Sequence, residues 1–242
     1  MGQGQRRIVE GGQVIYDQVM KALKRSGTAQ NRKIYARHGA SGEMFGVSFG
    51  ELGKLRKRIG ADQEVAEALW SSGNVDAMTL ATMVAEPETF GKEDLDRWVR
   101  VIDYSTIANQ FAKYVVARSA PAPWAVTKWT KAKRPFVAIA GWDVVSCLAM
   151  EEDGGSLDLL ESLGRIEAEI ARPPDQVKHA MNNSMISIGL HSKGLRRKAI
   201  AAAKRIGRVE VDHGQTGCKT PCHPVYRTGL GSSENLSRSI FS

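Results

Sequence analysis

The residue types best suited to chemistry lie close together near the C-terminus, as His213, Cys218, Cys222 and His223. Thiolates and imidazoles are common ligands of zinc in proteins. The spacing of the two cysteines matches no standard zinc module, so we expect no metal site here. A zinc-dependent activity of this segment remains an alternative, which metal analysis of the purified protein would test. Cys147 lies in an apolar segment and is expected in the core.

Other catalytic signatures are absent from the sequence. It contains no Walker loop, no dinucleotide fingerprint and no zincin motif, so we expect no cofactor. Three cysteines in 242 residues do not make a disulfide framework, which favours a reducing, cytoplasmic setting. No apolar run of about 18 residues is present, so no membrane partner is expected. The first residues carry two positive charges without an apolar segment after them, which argues against a signal peptide.

Positive charge is the strongest chemical signal. The formal net charge is +8 and the sequence pI about 9.5, a balance that favours an anionic partner such as nucleic acid. Any one basic run is commonly a solvated face, but several runs along one array favour a phosphate-binding surface. Such contacts position a duplex without reading its sequence. The runs comprise Arg32, Lys33, Arg37 and His38; Lys54, Arg56, Lys57 and Arg58; Lys128, Lys131, Lys133 and Arg134; and Lys193, Arg196, Arg197, Lys198, Lys204, Arg205 and Arg208.

Helical periodicity predicts the elements that position these charges. Apolar residues recur at helix spacing from about residue 12 to 207, and no stretch alternates with period two. We count about twelve helices joined by short loops, in pairs that recur at roughly 35 to 45 residues. This pattern predicts an all-α fold, a HEAT-like α-solenoid of about six antiparallel helix pairs with a concave basic face. An irregular helical bundle is the alternative.

The predicted organisation has four parts. Residues 1–11 form a flexible N-terminus, 12–207 the helical repeat domain, 208–227 a packed C-terminal extension, and 228–242 a disordered tail.

The tryptophans divide into two groups. Trp70, Trp98 and Trp142 lie on apolar stripes and are expected in the core, whereas either Trp124 or Trp129 is a candidate for contact with a nucleotide.

Several stretches resemble one known family. FGVSFGELGKLRKRIGADQEVAEALWSSGNVDAMTLATMVAEPETF, followed by LDRWVRVID, is similar to the N-terminal half of the AlkD-type DNA alkylation repair proteins. In these HEAT-like repeat DNA glycosylases, helix pairs wrap a DNA duplex. FVAIAGWDVVSCLA resembles their central helix, VKHAMNNSMISIGLHSKGLRRKAIAAAKRIG their penultimate helix pair, and VDHGQTGCKTP a tail of one branch. The resemblance runs from about residue 25 to 227 and implies the solenoid fold.

The resemblance also implies where a catalytic site would lie. Active members carry a Trp-Asp-x-x-Asp segment after the RWV helix, and its second Asp is the catalytic carboxylate. Here the stretch reads DYSTIANQF, so the Trp falls on Ser105, the first Asp on Thr106 and the catalytic Asp on Asn109. Tyr104 is one residue from the missing Trp. Asp103 is six residues before Asn109, about 120° away around a helix, and is a poor replacement.

Two further family positions are also changed. A second aromatic residue falls on Asn183, and an Arg of the central helix falls on Ile139. A carboxylate about 4 Å from the developing sugar cation stabilises it by roughly 4 kcal/mol at an effective dielectric of about 20. That is about a thousandfold in rate. We therefore expect glycosylase activity at the positions Tyr104, Ser105 and Asn109 to be weak or absent.

The resulting functional prediction is a monomeric DNA-binding protein of the alkylation-repair type that holds damaged duplex DNA. The alternative is a non-catalytic helical scaffold for a protein partner. Duplex binding that weakens steeply with salt would favour DNA, and no binding at low salt would favour the scaffold. The residues predicted to bind DNA are Arg37, Lys54, Lys57, Lys128, Lys131, Arg134, Asn183, Lys193, Arg196 and Arg197.

Overall fold

The structure, a computed structural model, describes residues 3–212, with side chains described from residue 15 onward except at residue 155. These residues form twelve α-helices and three short 3-10 turns, without a β-strand. Among residues 3–212, we find no helix with an apolar stretch of membrane-spanning length. The all-α prediction is therefore confirmed. The helices are α1 (Gln3–Ser26), α2 (Ala29–Arg37), α3 (Phe49–Ile59), α4 (Gln63–Ser71), α5 (Val75–Val84), α6 (Lys92–Val99), α7 (Ser105–Tyr114), α8 (Ala122–Trp129), α9 (Pro135–Leu148), α10 (Leu159–Glu169), α11 (Asp175–His191) and α12 (Lys193–Ile206).

Local sequence signals explain many of the helix boundaries. Six helices begin with a polar side chain that accepts a hydrogen bond from a backbone N–H of the first turn: Thr28, Ser48, Asp62, Asn74, Asp158 and Ser192. Such a cap satisfies a donor that has no partner inside the helix. Helices α3 and α12 end at Gly60 and Gly207, whose φ angles of 80° and 78° favour glycine.

The first helix begins earlier than the periodicity predicted. The expected start was residue 12, whereas α1 begins at Gln3 and continues through Gly11 and Gly12. A glycine inside a helix costs about 1 kcal/mol relative to alanine, which weakens a helix without necessarily ending it.

Alternate helices pack side by side in a row. Helix α7 packs on both α5 and α9, and α9 packs on α11, while α4, α8 and α12 lie against α5, α9 and α11. The Trp142 carbonyl accepts a hydrogen bond from Ser184 Oγ at 2.6 Å, and the Ala149 carbonyl lies 3.0 Å from His191 Nδ1. Both contacts join residues 42 positions apart, so α9 and α11 run parallel. Two layers of repeated helix pairs are the arrangement expected of an α-solenoid.

An aromatic cluster fills the space between the layers. The rings of Trp70 and Trp98 stack with centroids 4.1 Å apart, and Phe111 lies 5.7 Å from Trp98. Trp142 is also buried, at 1% exposure. The prediction that these three tryptophans belong to the core is confirmed. Such rings bury large apolar surfaces and stabilise the contact between helices.

Most residues of helix α9 are buried. At Gly141, an added Cβ would lie 2.7 Å from the Thr130 backbone nitrogen, so α8 and α9 meet backbone to backbone. Only glycine allows this separation. The close contact fixes the position of the helix that carries the central residues of the candidate site.

Candidate nucleic-acid interface

The position that the resemblance assigns to the catalytic carboxylate lies beside another acid. Asn109 is on α7, and its side chain forms a hydrogen bond with that of Asp143 on α9. Asp143 is 6% exposed, whereas Asn109 is partly exposed. The sequence reasoning missed Asp143. Its one signal was its position as the lone acid in the apolar segment FVAIAGWDVVSCLA.

Burial determines the protonation of this acid. It raises the pKa of the Asp143 carboxyl to about 8, although the hydrogen bond with Asn109 acts to lower it. At neutral pH the group is therefore mostly protonated, because removal from water disfavours the charged form. A carboxyl group is present next to Asn109, but it carries little negative charge.

Basic and thiol groups lie near this pair. Lys113, one helical turn after Asn109, is close enough to Cys147 to affect its pKa, which burial raises. The Arg56 guanidinium of α3 lies 5.0 Å from the centre of the Tyr114 ring, and Lys113 Nζ lies 5.6 Å from the same ring. Two cations thus meet one aromatic ring at the end of α7, an arrangement stabilised by cation–π attraction.

Tyr104 lies on the α5 side of the same helix. Its side chain is 4% exposed and hydrogen-bonds Thr106, and burial raises its pKa. Together with Tyr35 and Asp76 it lines a small cavity between α3, α5 and α7. Ser105 is partly exposed and begins α7. The structure therefore places Tyr104 with α5, whereas Asn109 contacts α9.

Asn183 lies on α11, with α9 between it and Asn109. Its side chain is 7% exposed, and its Nδ2 lies 3.2 Å from His179 Nε2. Its Oδ1 has no hydrogen-bond partner within the described residues. Ile139 and Asp143, one turn apart on α9, occupy the helix between the two asparagines. The family positions therefore lie on three neighbouring helices.

The nine predicted DNA-binding cations all have exposed side chains. Two of them are engaged in ion pairs. Lys54 pairs with Glu51 at 2.6 Å, and Lys128 pairs with Asp96. Burial acts to raise the pKa of Asp96, but hydrogen bonds from Lys128 and Trp129 lower it overall. In the part of the chain that the structure describes, no ion pair is found for the other seven: Arg37, Lys57, Lys131, Arg134, Lys193, Arg196 and Arg197.

The two tryptophans considered for nucleotide contact differ in exposure. Trp129 is 1% exposed and donates its Nε1–H to Asp96 Oδ1 at 3.0 Å, so it is a core residue. Trp124 is partly buried, and the ammonium groups of Lys92 and Lys128 lie 5.7 and 4.9 Å from its ring centre. Of the two, Trp124 remains the candidate.

The predicted C-terminal features fall largely outside the described residues. His213, Cys218, Cys222 and His223 lie there, as do the tail 228–242 and most of the extension 208–227. Between residues 3 and 212, no group of three His, Cys, Asp or Glu side chains is placed to hold a metal ion.

Comparison with known proteins identifies relatives along nearly the whole chain. The sequence model of a family described as "DNA alkylation repair enzyme" matches residues 19–215. The proteins Lin0241 of Listeria innocua and Lmo0209 of Listeria monocytogenes are each 26% identical over 215 residues, which span 86% of this chain and 93% of theirs.

A solved structure matches the fold as well as the sequence. It represents a new family of proteins related to the HEAT-like repeat DNA glycosylases, with affinity for branched DNA structures. Its TM-score is 0.78 at 28% identity, over 93% of this chain and 92% of that chain. The similarity to HEAT-like repeat proteins that the sequence predicted is therefore confirmed.

Proposed function

Because this chain belongs to the DNA alkylation repair family, as the match over residues 19–215 establishes, we propose that it binds DNA with a preference for branched structures and does not excise alkylated bases from DNA. The observation that carries the proposal is the structural match, over 93% of this chain, to a member of a family with affinity for branched DNA structures. Damaged duplex DNA as the natural ligand, the monomeric state and the cytoplasmic location remain predictions from the sequence.

The exposed basic residues support a phosphate-binding role. Seven predicted contact residues have no acidic partner within the described chain, and they are distributed from the end of α2 to α12. Cations that neutralise phosphates release condensed counterions, which gives affinity that depends strongly on salt. Contacts of this type suit the arms of a DNA branch, since each arm presents the same phosphate backbone whatever its sequence.

The residues at the family site support the absence of base excision. Asn109 supplies a dipole in place of a negative charge. The nearby Asp143 is buried, with a pKa of about 8, so it supplies little carboxylate at neutral pH. A full negative charge about 4 Å from the developing sugar cation would be worth roughly a thousandfold in rate. The Tyr104 side chain packs towards α5. It therefore does not supply an aromatic ring beside Ser105, the position of the family's Trp.

A binding titration tests the first half of the proposal. Fluorescence anisotropy would compare a labelled four-way junction with a linear duplex built from the same arm sequences, at two salt concentrations. We expect tighter binding to the junction, and weaker binding to both DNAs as salt rises. Equal affinity for the two DNAs would remove the branch preference. No binding to either at low salt would instead favour the protein-scaffold function.

A base-release assay tests the second half. The protein is incubated with duplex DNA that carries N3- or N7-methylated purines, and released bases are separated and counted. We expect no release above the spontaneous rate. Robust release that is lost in Asn109→Ala would overturn the proposal, whereas the same release in both proteins would indicate a contaminating activity.

A further inference from the structure

A cavity lies at the ends of α9 and α11, and neither Asn109 nor Asp143 lines it. Its volume is about 280 Å³. The segment that connects α8 to α9 forms one wall, and the segment that connects α10 to α11 forms the other. Because α9 and α11 run parallel, both helices begin at this cavity, so its walls are built at one edge of the helix row.

The rim of the cavity carries uncompensated positive charge. Lys131, Lys133 and Arg172 line it, and all three side chains are exposed. None of them forms an ion pair with a described residue. The acid that lines the cavity, Glu169, is bound by Arg165 Nη2 at 3.3 Å. The rim is therefore suited to an anion, and the positive ends of two helix dipoles add to the same field.

Apolar side chains form the base and sides of the cavity, and contacts with Arg165 fix two of its lining residues, Trp142 and Thr130. Trp142, Val177 and Met181 are almost fully buried at its base, and Pro135 and Pro173 form its sides. Arg165 lies 5.3 Å from the centre of the Trp142 ring and donates to Thr130 Oγ1 at 2.8 Å.

The ligand must therefore combine an anionic group with a small apolar or aromatic body. A volume of about 280 Å³ lies just below the range of small-ligand sites, roughly 300 to 1,000 Å³. A base pair is too large for it.

We propose that this cavity receives one unpaired nucleotide of a branched DNA. The phosphate would lie at Lys131, Lys133 and Arg172, and the sugar and base would lie against Pro135 and Pro173, next to the buried Trp142. A nucleotide inside a duplex is stacked and paired, and its removal costs free energy, whereas a nucleotide left unpaired at a branch point avoids this cost. The cavity would thus favour a branch over a linear duplex. This inference rests on the proposed function and assigns the branch preference to a site.

Two variants test the cavity by different routes. Val177→Phe places a larger side chain at its base, and the triple variant Lys131→Ala, Lys133→Ala, Arg172→Ala removes the rim charges without touching the core. The matched control is Lys21→Ala, Lys24→Ala, Arg25→Ala, which removes the same charge from exposed positions of α1. Thermal melting would establish that each variant is folded.

The binding assay compares a three-way junction carrying one unpaired dT at the branch with a linear duplex of the same arms. Wild type is expected to bind the junction about tenfold tighter, the order of magnitude expected for the contacts of one base. Val177→Phe should lose this ratio while its duplex affinity is unchanged. The rim variant should also lose the ratio, and the α1 control should keep it. A ratio that survives in both cavity variants overturns the inference and leaves the proposed function intact.

A second measurement tests the cavity independently of branched DNA. The indole N–H signal of Trp142 is followed by NMR as thymidine 5′-monophosphate or inorganic phosphate is added at millimolar concentration. We expect the signal to shift with the nucleotide in wild type but not in Val177→Phe. No shift, or an equal shift with inorganic phosphate, would overturn the nucleotide site. If wild type bound junction and duplex equally, the proposed function would fail, and this measurement would still decide on the cavity.

Discussion

Two buried aspartates, one on α5 and one on α9 of the helix row, have opposite surroundings. Asp76 of α5 is 1% exposed, and its Oδ2 accepts hydrogen bonds from the backbone N–H groups of Phe45 and Gly46 at 2.6 and 2.9 Å. Its Oδ1 accepts from Val47 N–H at 2.8 Å. Asp143 of α9 is 6% exposed, its identified side-chain partner is the amide of Asn109, and burial raises its pKa to about 8.

The difference shows how a fold accommodates a buried acid. Three N–H donors replace the water that Asp76 loses, so its carboxylate stabilises the loop it binds. The surroundings of Asp143 are mostly apolar, so the acid keeps its proton instead. The first arrangement is an anchor of the fold. The second is a polar group retained next to a family site position despite its cost in stability.

The largest expected effect comes from removing the Asp76 side chain, which anchors the loop before α3. Asp76→Ala would leave three backbone N–H groups without their acceptor, and each buried donor without a partner costs about 1 to 3 kcal/mol, so we expect the free energy of unfolding to fall by at least about 3 kcal/mol. Urea denaturation would measure it. Asp62→Ala, which removes a helix cap, serves as the comparison and is expected to cost about 1 kcal/mol. Equal losses in the two variants would contradict the anchor role.

The next effect depends on pH. The Asp143 carboxyl has a pKa of about 8 in the folded protein and about 3.9 in the unfolded chain. Between these values the folded state binds more protons, so its contribution to stability falls as pH rises from about 4 to about 8 and is level beyond. Asp143→Asn removes this dependence.

Melting curves of wild type and Asp143→Asn between about pH 4 and pH 8 would test whether the pH dependence of stability comes from Asp143. The variant should gain stability relative to wild type as pH rises, with the largest advantage above pH 8, and the gain should disappear near pH 4. A constant difference between the two proteins at every pH would mean that Asp143 does not titrate in this window.

The smallest effect is expected from restoring an acid at the family position. Asn109→Asp would place a carboxyl beside Asp143, and two adjacent carboxyls disfavour simultaneous ionisation. We therefore expect about 1 to 2 kcal/mol lower stability at pH 8, where wild type lacks this repulsion, and no base release.

Combining Asn109→Asp with Asp143→Asn leaves one carboxyl, at position 109. Greater base release from methylated DNA by the double variant than by Asn109→Asp would support the assignment of position 109, and equal release would contradict it.

The sequence predicted the helices well because their signals are local. The Asp62 cap bonds a residue three positions away, and the stripes of Trp70 and Trp98 follow from helix periodicity. Asp76 and Asp143 were missed because their partners are remote in the chain. Asp76 binds residues 29 to 31 positions earlier, and Asn109 precedes Asp143 by two helices. Periodicity identifies a buried face but not which polar group lies across it.

The charges show the same division. Exposure of the basic residues followed from composition, and all nine predicted cations have exposed side chains. The pairing of Lys128 with Asp96, which lies 32 positions earlier in the chain, could not be predicted from composition. The cavity at the start of α9 and α11 was also not predicted. Its rim residues Lys131 and Arg172 come from separate loops that only the parallel packing of the two helices brings together.

The hydrogen bonds of Asp76 have a consequence for how the molecule opens. In a linear array each repeat contacts mainly its neighbours, so its parts can unfold separately, and amide hydrogen exchange reports each unit. Asp76 ties the loop before α3 to α5, and the Thr28 N–H donates to the Gly46 carbonyl at 3.0 Å, which ties the same loop to the start of α2. We therefore expect these helices to open as one cooperative unit, with the amide protons of residues 45–47 exchanging together with those of α5.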